Sequence, residues 1–362
     1  MMEEITKKIA IVLPSLDPDK KFAGVVDGLL DAGFKNIVIV DDGSDAEHKK
    51  PFEEAAQHPE CRILVHEVNK GKGRALKDAF ATIARELPDV EGAVTIDGDG
   101  QHLTKDIIRC GERMLEEKDK VILGSRDFNQ EGVPPRSVAG NKFTAAMFGL
   151  LFGIKINDTQ TGLRAIPKQF LPIFAEIEGE RFDYETNMLL QMKKQGIAFV
   201  EQPIETVYDP EDYSSHYNAF KDSWRVGKVM MKFIAEGSAF RYVISSILSV
   251  LFDNGLFWAA SALFGVARQV LVQPICTLLS SVLNFNLNKF WVFGKKGNYL
   301  KEMLQYYCIC LPRTAVSVLL THYALVGLQI GAPFLATLIK AAVDIVLFVV
   351  CYYIQKIWVF KK

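Results

Sequence analysis

Asp97 and Asp99 stand one residue apart in the run Asp97-Gly98-Asp99-Gly100-Gln101-His102, directly after the apolar segment Ala93-Val94-Thr95-Ile96. Two carboxylates so spaced can bind a hard divalent cation and share it with a diphosphate. The cation then neutralises charge developing on a leaving nucleoside diphosphate. Gln101 can add a neutral oxygen ligand. A calcium EF-hand loop starting at Asp97 is excluded, because His102 occupies the position that requires glycine and Ile108 the one that requires glutamate. The plain alternative is a polar turn without metal; placement at the end of an apolar run favours the site.

Asp41-Asp42-Gly43-Ser44 closes a second apolar run, Ile37-Val38-Ile39-Val40. Carboxylates there can accept hydrogen bonds from a ribose or a base. Asn69-Lys70-Gly71-Lys72-Gly73 can offer backbone amides and one amide side chain to a nucleotide. It lacks the spacing of a P-loop and the third glycine of a dinucleotide fingerprint. Taken singly, these segments are more often turns than sites.

The elements that must position these groups follow from the apolar pattern. Short apolar runs at 9–13, 37–40, 62–65, 92–96 and 121–123 alternate with helical stretches near 20–32, 46–57, 73–87 and 104–118. That alternation predicts a parallel sheet covered on both faces. Ligands of such sheets bind beyond the carboxyl ends of the strands, where Asp41, Asp42, Asp97 and Asp99 all fall. Two further stretches read as amphipathic helices. The first, near 136–153, places Phe143, Met147, Leu150 and Leu151 on one side. The second, near 218–236, sets Phe220, Trp224, Met231 and Ile234 beside a basic stripe of Lys221, Arg225, Lys228 and Lys232. Both fit helices lying in a membrane interface; the alternative is a surface helix packed on its own domain.

The charge balance splits the chain. Residues 237–362 hold 11 Lys+Arg and 3 Asp+Glu, a net of +8, which leaves −9 for residues 1–236. An acidic first domain argues against nucleic acid as a partner. The basic, apolar remainder contains runs of spanning length at about 240–264, 269–293, 304–328 and 333–360. Lys289, Lys295, Lys296 and Lys301 lie between the second and third runs, and Lys356, Lys361 and Lys362 close the chain. Positive-inside logic places that loop and both termini in the cytoplasm. An inner-membrane, multi-pass protein with a cytoplasmic first domain is expected, without a signal peptide. The six cysteines show no CxxC spacing, so neither disulfides nor zinc are expected. Asn288-Lys289-Phe290-Trp291-Val292-Phe293 is echoed by Gln355-Lys356-Ile357-Trp358-Val359-Phe360. The echo is read as two helical hairpins in tandem; chance similarity at membrane exits is the alternative.

As a set, Pro14-Ser15, Asp41-Asp42-Gly43-Ser44, Asn69-Lys70-Gly71-Lys72-Gly73, Asp97-Gly98-Asp99-Gly100-Gln101-His102 and Gly124-Ser125-Arg126 resemble family 2 glycosyltransferases in order and spacing. The branch with dolichyl-phosphate mannose synthase and undecaprenyl-phosphate glucosyltransferases is the nearest in pattern. Asn157-Asp158-Thr159-Gln160-Thr161-Gly162-Leu163-Arg164, Phe182-Asp183-Tyr184-Glu185-Thr186-Asn187 and Ser214-Ser215-His216 resemble it too. The likeness covers residues 8–236. Residues 238–362 resemble a GtrA-type membrane domain through Phe240-Arg241-Tyr242 and the two Trp-Val-Phe endings.

This resemblance implies an α/β GT-A (Rossmann-like) catalytic domain over 1–236 and an all-α domain of four transmembrane helices over 237–362. It implies hexose transfer from a nucleotide-sugar to polyprenyl (undecaprenyl) phosphate, with UDP-glucose ahead of GDP-mannose and UDP-N-acetylhexosamines. Asp97, Asp99 and Gln101 would hold Mg2+ or Mn2+. Pro14, Ser15, Asp17, Asp41, Asp42, Asn69, Lys72 and Asp97 would line the donor pocket. Where the family usually shows Asn-Glu after the first strand, this chain has Leu16-Asp17-Pro18-Asp19, with Asp17 in the acid's place.

A phosphate monoester is largely dianionic at neutral pH, its second pKa being ~6. It needs no general base, but it must be brought close to a diphosphate. Arg126, Arg136 and Lys142 are placed to receive it; solvated surface charge is the alternative for each. In-line attack with inversion follows, with Asp99 stabilising the leaving group through the cation. Asp158, Asp183 and Glu185 would orient sugar hydroxyls or the acceptor loop. Polar residues inside the spanning runs (Asp253, Asn254, Asn284, Asn286, Asn288, Arg313, His322, Lys340 and Asp344) form either a path for a lipid headgroup or the internal glue of an anchor. A processive polysaccharide synthase is disfavoured, because Asp222-Ser223-Trp224-Arg225 does not supply its Q-x-x-R-W motif. A transporter or anchor whose first domain only binds nucleotide is the rival from outside the enzymes. Homo-oligomerisation is left open.

Overall fold

The computed structural model describes residues 2–128, 133, 135–205, 220–264, 269–327 and 333–361. The chain divides into two compact units, Met1–Phe233 and Ile234–Lys362.

In the first unit, α1 (Met2–Lys8) leads into β1 (Ile9–Ser15), whose first five residues are all fully buried. A strand covered on both faces needs an unbroken apolar run, and this one has it. Helix α2 (Lys21–Asp31) buries Phe22, Val26 and Leu29 at helical spacing. There follow β2 (Asn36–Asp41), α3 (Lys50–Ala55), β3 (Cys61–Val65), α4 (Lys72–Glu86), β4 (Gly92–Thr95), α5 (Thr104–Glu116) and β5 (Lys120–Arg126). Next come α6 (Pro135–Met147), β6 (Arg164–Pro167), α7 (Leu171–Ala175), α8 (Asp183–Gln195), β7 (Ala198–Ile204) and α9 (Lys221–Glu236). One seven-stranded sheet results, in the order β3-β2-β1-β4-β6-β5-β7. It is the Rossmann-like GT-A arrangement expected above, with one correction. The sheet is mixed rather than parallel, because β6 runs antiparallel to β4 and β5. β6 is a four-residue strand containing Arg164 and Pro167, too short and polar to stand out in the sequence.

That reversal serves the site. β1 pairs with β2 on one side and β4 on the other, which makes the β1–β4 boundary the switch point of the sheet. The antiparallel β6 brings the loop before it, Asn157–Leu163, to the same edge as the carboxyl ends of β1, β2, β4 and β5.

The stretch near 136–153 is less regular than expected. Its α-helix stops at Met147, and a wide turn over Phe148–Phe152 follows, ending at left-handed Gly153. The wide turn rotates Phe148 and Phe152 inward while Leu150 stays 82% exposed. Phe152 meets Phe233 of α9 edge-on at 5.3 Å. On α9, Trp224 is 65% exposed, with Lys228 Nζ 5.8 Å from its ring centre. Within the unit, Arg225 pairs with Asp222 and Lys232 with Glu178. Ser214-Ser215-His216 lie outside the described residues.

The second unit contains α10 (Ser238–Phe264), α11 (Gln269–Asn286), α12 (Tyr299–Gly327) and α13 (Pro333–Ile354). Among the described residues, Ser238–Ala260 and Ala342–Val359 are long and apolar enough to cross a membrane by length and composition. Polar side chains also lie on the other two helices: Ser280, Ser281, Asn284 and Asn286 on α11, Arg313 and Ser317 on α12. The outward surface is apolar, with Trp258 75% and Leu263 79% exposed. Polar groups gather inside. Gln355 donates to Tyr242 Oη at 3.0 Å, Asn288 to Gln355 Oε1 at 3.2 Å and to Asn284 Oδ1 at 2.9 Å, and Tyr306 to Asn284 Oδ1 at 2.8 Å. Satisfied networks of this kind join helices where apolar burial supplies no drive.

The echoed hexapeptides occupy matching places. Each follows its helix as a wide turn, Leu287–Val292 and Gln355–Val359. Their first residues, Asn288 and Gln355, bond each other, and their last, Phe293 and Phe360, stack at 4.9 Å. Tyr242 of α10 packs on Tyr352 at 5.3 Å, as Tyr306 of α12 packs on Phe285 at 5.5 Å. Corresponding residues thus meet across the centre of the unit, as two tandem hairpins related by a pseudo-twofold would place them. Lys289 is buried with Glu302, whereas Lys356 is exposed. The side chains of His322 and Lys340 lie outside the described residues, while Asp344 accepts from Ser317 Oγ at 2.6 Å.

Candidate active site

The site forms where β1, β2 and β4 end. β4 delivers Asp97 and Asp99; β1 delivers Pro14 and Ser15, whose carbonyl accepts from Asp42 N–H at 2.9 Å. The loop before β6 closes tightly on Asp97. A Cβ placed on Gly162 would stand 2.1 Å from Asp97 Oδ2, so a larger residue there would have to displace the Asp97 carboxylate. Thr95 Oγ1 donates to Gly162 O at 2.6 Å and holds that approach.

Asp97 is the electrostatic hub. Lys72 Nζ lies 2.7 Å from its Oδ1 and 3.0 Å from Glu185 Oε1, and His102 Nε2 lies 3.3 Å from its Oδ2. Burial alone would raise the Asp97 carboxyl, but the Lys72 charge and His102 override it and hold it well below the ordinary range. Burial would likewise lower the Lys72 ammonium, and Asp97 and Glu185 reverse that, raising it. Asp99 is shifted the other way. Burial first, and then the neighbouring Asp97 charge, push its carboxyl up, only partly offset by the Gln101 N–H at 3.1 Å. Two acids side by side, one of them reluctant to ionise, make a place where added positive charge is favoured.

The two other acid-bearing loops are built differently from the sequence reading. Asp41 is buried, accepts from Ser44 N–H at 2.8 Å and is ion-paired with Lys49. Its carboxylate thus helps to shape its own turn. Asp42 is also buried and accepts from Lys70 N–H at 3.0 Å and Gly71 N–H at 2.7 Å. Its carboxylate holds the Asn69–Gly73 loop. Gly71 has φ +104°, and a Cβ there would stand 2.3 Å from Glu180 O. Asn69 itself is exposed. Asp17 adopts φ +45°, the one positive value outside glycine among the described residues. Its N–H is held by Ser44 Oγ at 2.9 Å, and its carboxylate accepts from Asp45 N–H at 2.8 Å. Left-handed residues of this kind collect at functional sites.

Arg126 is engaged rather than poised. Its Nε donates to Asp158 Oδ2 at 2.6 Å and its Nη2 to Oδ1 at 2.9 Å, a two-pronged pair with Asp158 fully buried. The same two residues that the sequence separates into an acceptor cation and a sugar-orienting acid are thus each other's partner. Asn141 of α6 and Glu201 of β7 complete the support of this loop. Asn141 donates to Asn157 O at 2.6 Å and accepts from Thr159 N–H at 3.1 Å. Glu201 accepts from Asn157 Nδ2 at 2.8 Å. Arg136 lies in α6 with its side chain outside the described residues, and Lys142 is exposed on the same helix. Asp183 opens α8 and accepts from Arg181 N–H at 3.1 Å.

Sequence reading missed Asn141, Glu201, His66 and Asp78. His66 bridges Asp42 and Asp78 at 2.7 and 3.0 Å. No local spacing links these residues; the sheet brings them together.

Comparison with known proteins identifies the family. Residues 11–190 match Glycosyl transferase family 2, and residues 241–360 match the GtrA/DPMS transmembrane domain. The UDP-N-acetylglucosamine--dolichyl-phosphate N-acetylglucosaminyltransferase of Methanococcus voltae is 31% identical over 223 residues, covering 56% of this chain and 86% of that protein. An uncharacterised protein of Methanocaldococcus jannaschii is 29% identical over 236 residues, 64% of this chain and 95% of its own. The solved mannosyl-3-phosphoglycerate synthase of Rubrobacter xylanophilus aligns with a TM-score of 0.48 and 15% identity, over 64% of this chain and 74% of that one. The chain belongs to glycosyl transferase family 2: it is a hexosyltransferase, and a membrane protein by its GtrA/DPMS transmembrane domain.

Proposed function

We propose that the chain transfers glucose from UDP-glucose to a polyprenyl phosphate such as undecaprenyl phosphate, with inversion. The observation that carries this reading is the Asp97–Asp99 pair at the switch point of the sheet, backed by Lys72 and closed by Gly162. Among the described residues no three His, Cys, Asp or Glu side chains gather as a preformed metal cage. The residues present instead fit a divalent cation, Mg2+ or Mn2+, held by Asp97 and Asp99, with Gln101 nearby, and completed by donor oxygens. When bound, that cation supplies charge neutralisation to the departing nucleoside diphosphate.

This chain's own residues do the rest. Asn69 and the backbone of its loop, with Pro14, Ser15 and Asp17, seat the nucleoside. Lys72 keeps Asp97 ionised and holds Glu185 toward the sugar. The acceptor phosphate oxygen attacks the anomeric carbon, and the bond from that carbon to the diphosphate oxygen breaks. No base is required, because the attacking group is already anionic. Arg136 and Lys142 on α6 receive the acceptor phosphate. Exposed Phe143, Leu150 and Trp224 rest α6 and α9 against the bilayer, where a lipid acceptor resides. The four helices of the second unit cross the membrane, with the catalytic domain and both termini cytoplasmic.

The Methanococcus voltae relative is named for UDP-N-acetylglucosamine and dolichyl phosphate. That pair is the second reading, ahead of GDP-mannose. A screen of the three donors against undecaprenyl and dolichyl phosphate, following lipid-linked sugar by mass, tests the assignment. UDP-glucose with undecaprenyl phosphate is expected to give the fastest turnover; preference for another donor overturns it. The second unit is proposed to help move the product lipid across the bilayer along its polar interior. In reconstituted vesicles Asp344→Ala is expected to slow translocation but not transfer, and unchanged translocation makes the unit an anchor.

A further inference from the structure

The two hairpins of the second unit match in their packing and differ in their charge. The pseudo-twofold that sets Tyr242 against Tyr306 also sets Ser238 against Glu302, each four residues earlier. It sets Lys289 against Lys356, each directly after the bonded pair Asn288 and Gln355. One corner of the unit is therefore built from Lys289 and Glu302, and its copy from Lys356 and Ser238.

The first corner is complete. Lys289 and Glu302 are ion-paired and both buried. Lys289 Nζ also donates to Gly297 O at 2.9 Å, and a Cβ on Gly297 would stand 2.0 Å from Glu302 Oε1. Carboxylate and loop together close over the ammonium, so this lysine is neutralised from within.

The copy lacks the acid. Ser238 stands in the place of Glu302, and its Oγ shares a hydrogen bond with Tyr352 Oη at 2.6 Å. Tyr352 stands in the place of Phe285, which adds a second hydroxyl. Lys356 is exposed, its Nζ 5.7 Å from the centre of the Tyr352 ring. Arg241, one turn beyond Ser238 on α10, donates to Trp291 O at 3.4 Å. Among the described residues no carboxylate is paired with Lys356 or Arg241. Residues 237–362 contain three acids. Glu302 is held by Lys289, Asp344 accepts from Ser317, and Asp253 lies about four turns along α10 from Ser238. Glu236, the last residue of α9, is exposed and has a partner of its own. Two cations and two hydroxyls without an acid form a donor set for an oxyanion. Exposed Tyr353, Ile357 and Trp358 lie beside Lys356 in the chain, and such side chains suit a lipid interface.

We propose that the corner of Ser238, Arg241 and Lys356 binds the anionic phosphate of a membrane lipid, which supplies from outside the charge that Glu302 supplies within the other corner. The site requires that the second unit lie in the bilayer. It is independent of the sugar and the acceptor that the first unit uses.

The test uses the full-length protein in detergent, doped in turn with undecaprenyl phosphate, phosphatidylglycerol and zwitterionic phosphatidylcholine. Native mass spectrometry reads the lipid retained, with neither transfer nor translocation involved. Wild type is expected to hold anionic lipid above the phosphatidylcholine background. Lys356→Gln should hold about fivefold less, the worth of one lysine at an anionic surface. Ser238→Glu, which rebuilds the Lys289–Glu302 pair in the copy, should lose as much. Ser238→Gln, equal in size and uncharged, should retain lipid as wild type does. Lys296→Gln, altered at an exposed lysine elsewhere in the unit, should also be unchanged. Equal retention by wild type, Lys356→Gln and Ser238→Glu overturns the site. So does a loss in Ser238→Gln that matches Ser238→Glu, because size rather than charge is then the cause. Should Ser238→Glu fail to fold, Lys356→Gln is judged against Lys296→Gln, and equal losses overturn the site as mere surface charge. Preference for undecaprenyl phosphate or for phosphatidylglycerol supports the site and identifies the lipid, whereas full displacement by excess inorganic phosphate overturns a lipid as the source.

Discussion

Asp99→Asn abolishes glycosyl transfer, by roughly a thousandfold or more, while the metal-free protein melts at a higher temperature than wild type. The first effect follows from the loss of one of the two carboxylates proposed to hold a leaving-group cation, a contribution of several kcal/mol at roughly 1.4 kcal/mol per tenfold in rate. The second follows from the direction of the Asp99 shift. Burial and the adjacent Asp97 raise its carboxyl. A raised carboxyl means that ionisation costs folding free energy, so stability is fully present at low pH and declines as pH rises through the folded-state value. Asparagine removes that cost at neutral pH, and the difference between the two proteins should vanish as wild-type Asp99 becomes protonated. Mn2+ provides the cross-check. It should raise the wild-type melting temperature, since a ligand of the folded state stabilises it, and leave Asp99→Asn nearly unmoved. Transfer that persists at full rate in EDTA, or an Mn2+ shift retained by the variant, would remove the cation from Asp99.

Arg126→Met destabilises the first unit by about 3 kcal/mol, measured by denaturant titration, because it strands a fully buried carboxylate. Asp158 has no exposed surface and takes two guanidinium bonds from Arg126. It also caps its own loop by accepting Gln160 N–H at 3.0 Å. Arg126→Met combined with Asp158→Asn should recover part of the loss, since the stranded charge is then gone. The outcome separates two roles. A scaffold arginine lowers stability and reduces transfer through the Asn157–Leu163 loop, whose Gly162 abuts Asp97. An arginine that receives the acceptor phosphate raises the KM for polyprenyl phosphate while the unfolding midpoint stays in place. The two-pronged pair favours the scaffold result, and it shifts the expected acceptor contact to α6, where Arg136 and Lys142 lie.

Much of this protein is legible without coordinates, and the reason is local. Ile9–Leu13, Ile37–Val40 and Gly92–Thr95 are strands buried on both faces, and burial on both faces leaves an uninterrupted apolar signature in the sequence. The acids at their carboxyl ends then locate the switch-point crevice by general rules of open sheets. The tandem hairpins are visible because the hexapeptides that end them repeat lysine, tryptophan, valine and phenylalanine in the same order. Such features depend on neighbours within a few residues.

What tertiary structure alone decides is which polar groups remain available. By type and placement Asp41, Asp42, Asp97 and Asp99 are equivalent acids at strand ends. Folding assigns Asp41 to Lys49 and Asp42 to the Lys70 and Gly71 amides, and it sets Asp97 against Lys72; among the described residues Asp99 receives only a backbone N–H. Arg126 and Asp158 are 32 positions apart and become one ion pair. Strand β6 turns antiparallel and carries Gly162 to Asp97, a placement that no periodicity encodes. The physical reason is the same in each case. Residue type sets what a side chain can bond to, but a buried charge must find its partner in three dimensions, and only the folded sheet shows which carboxylates have already found one.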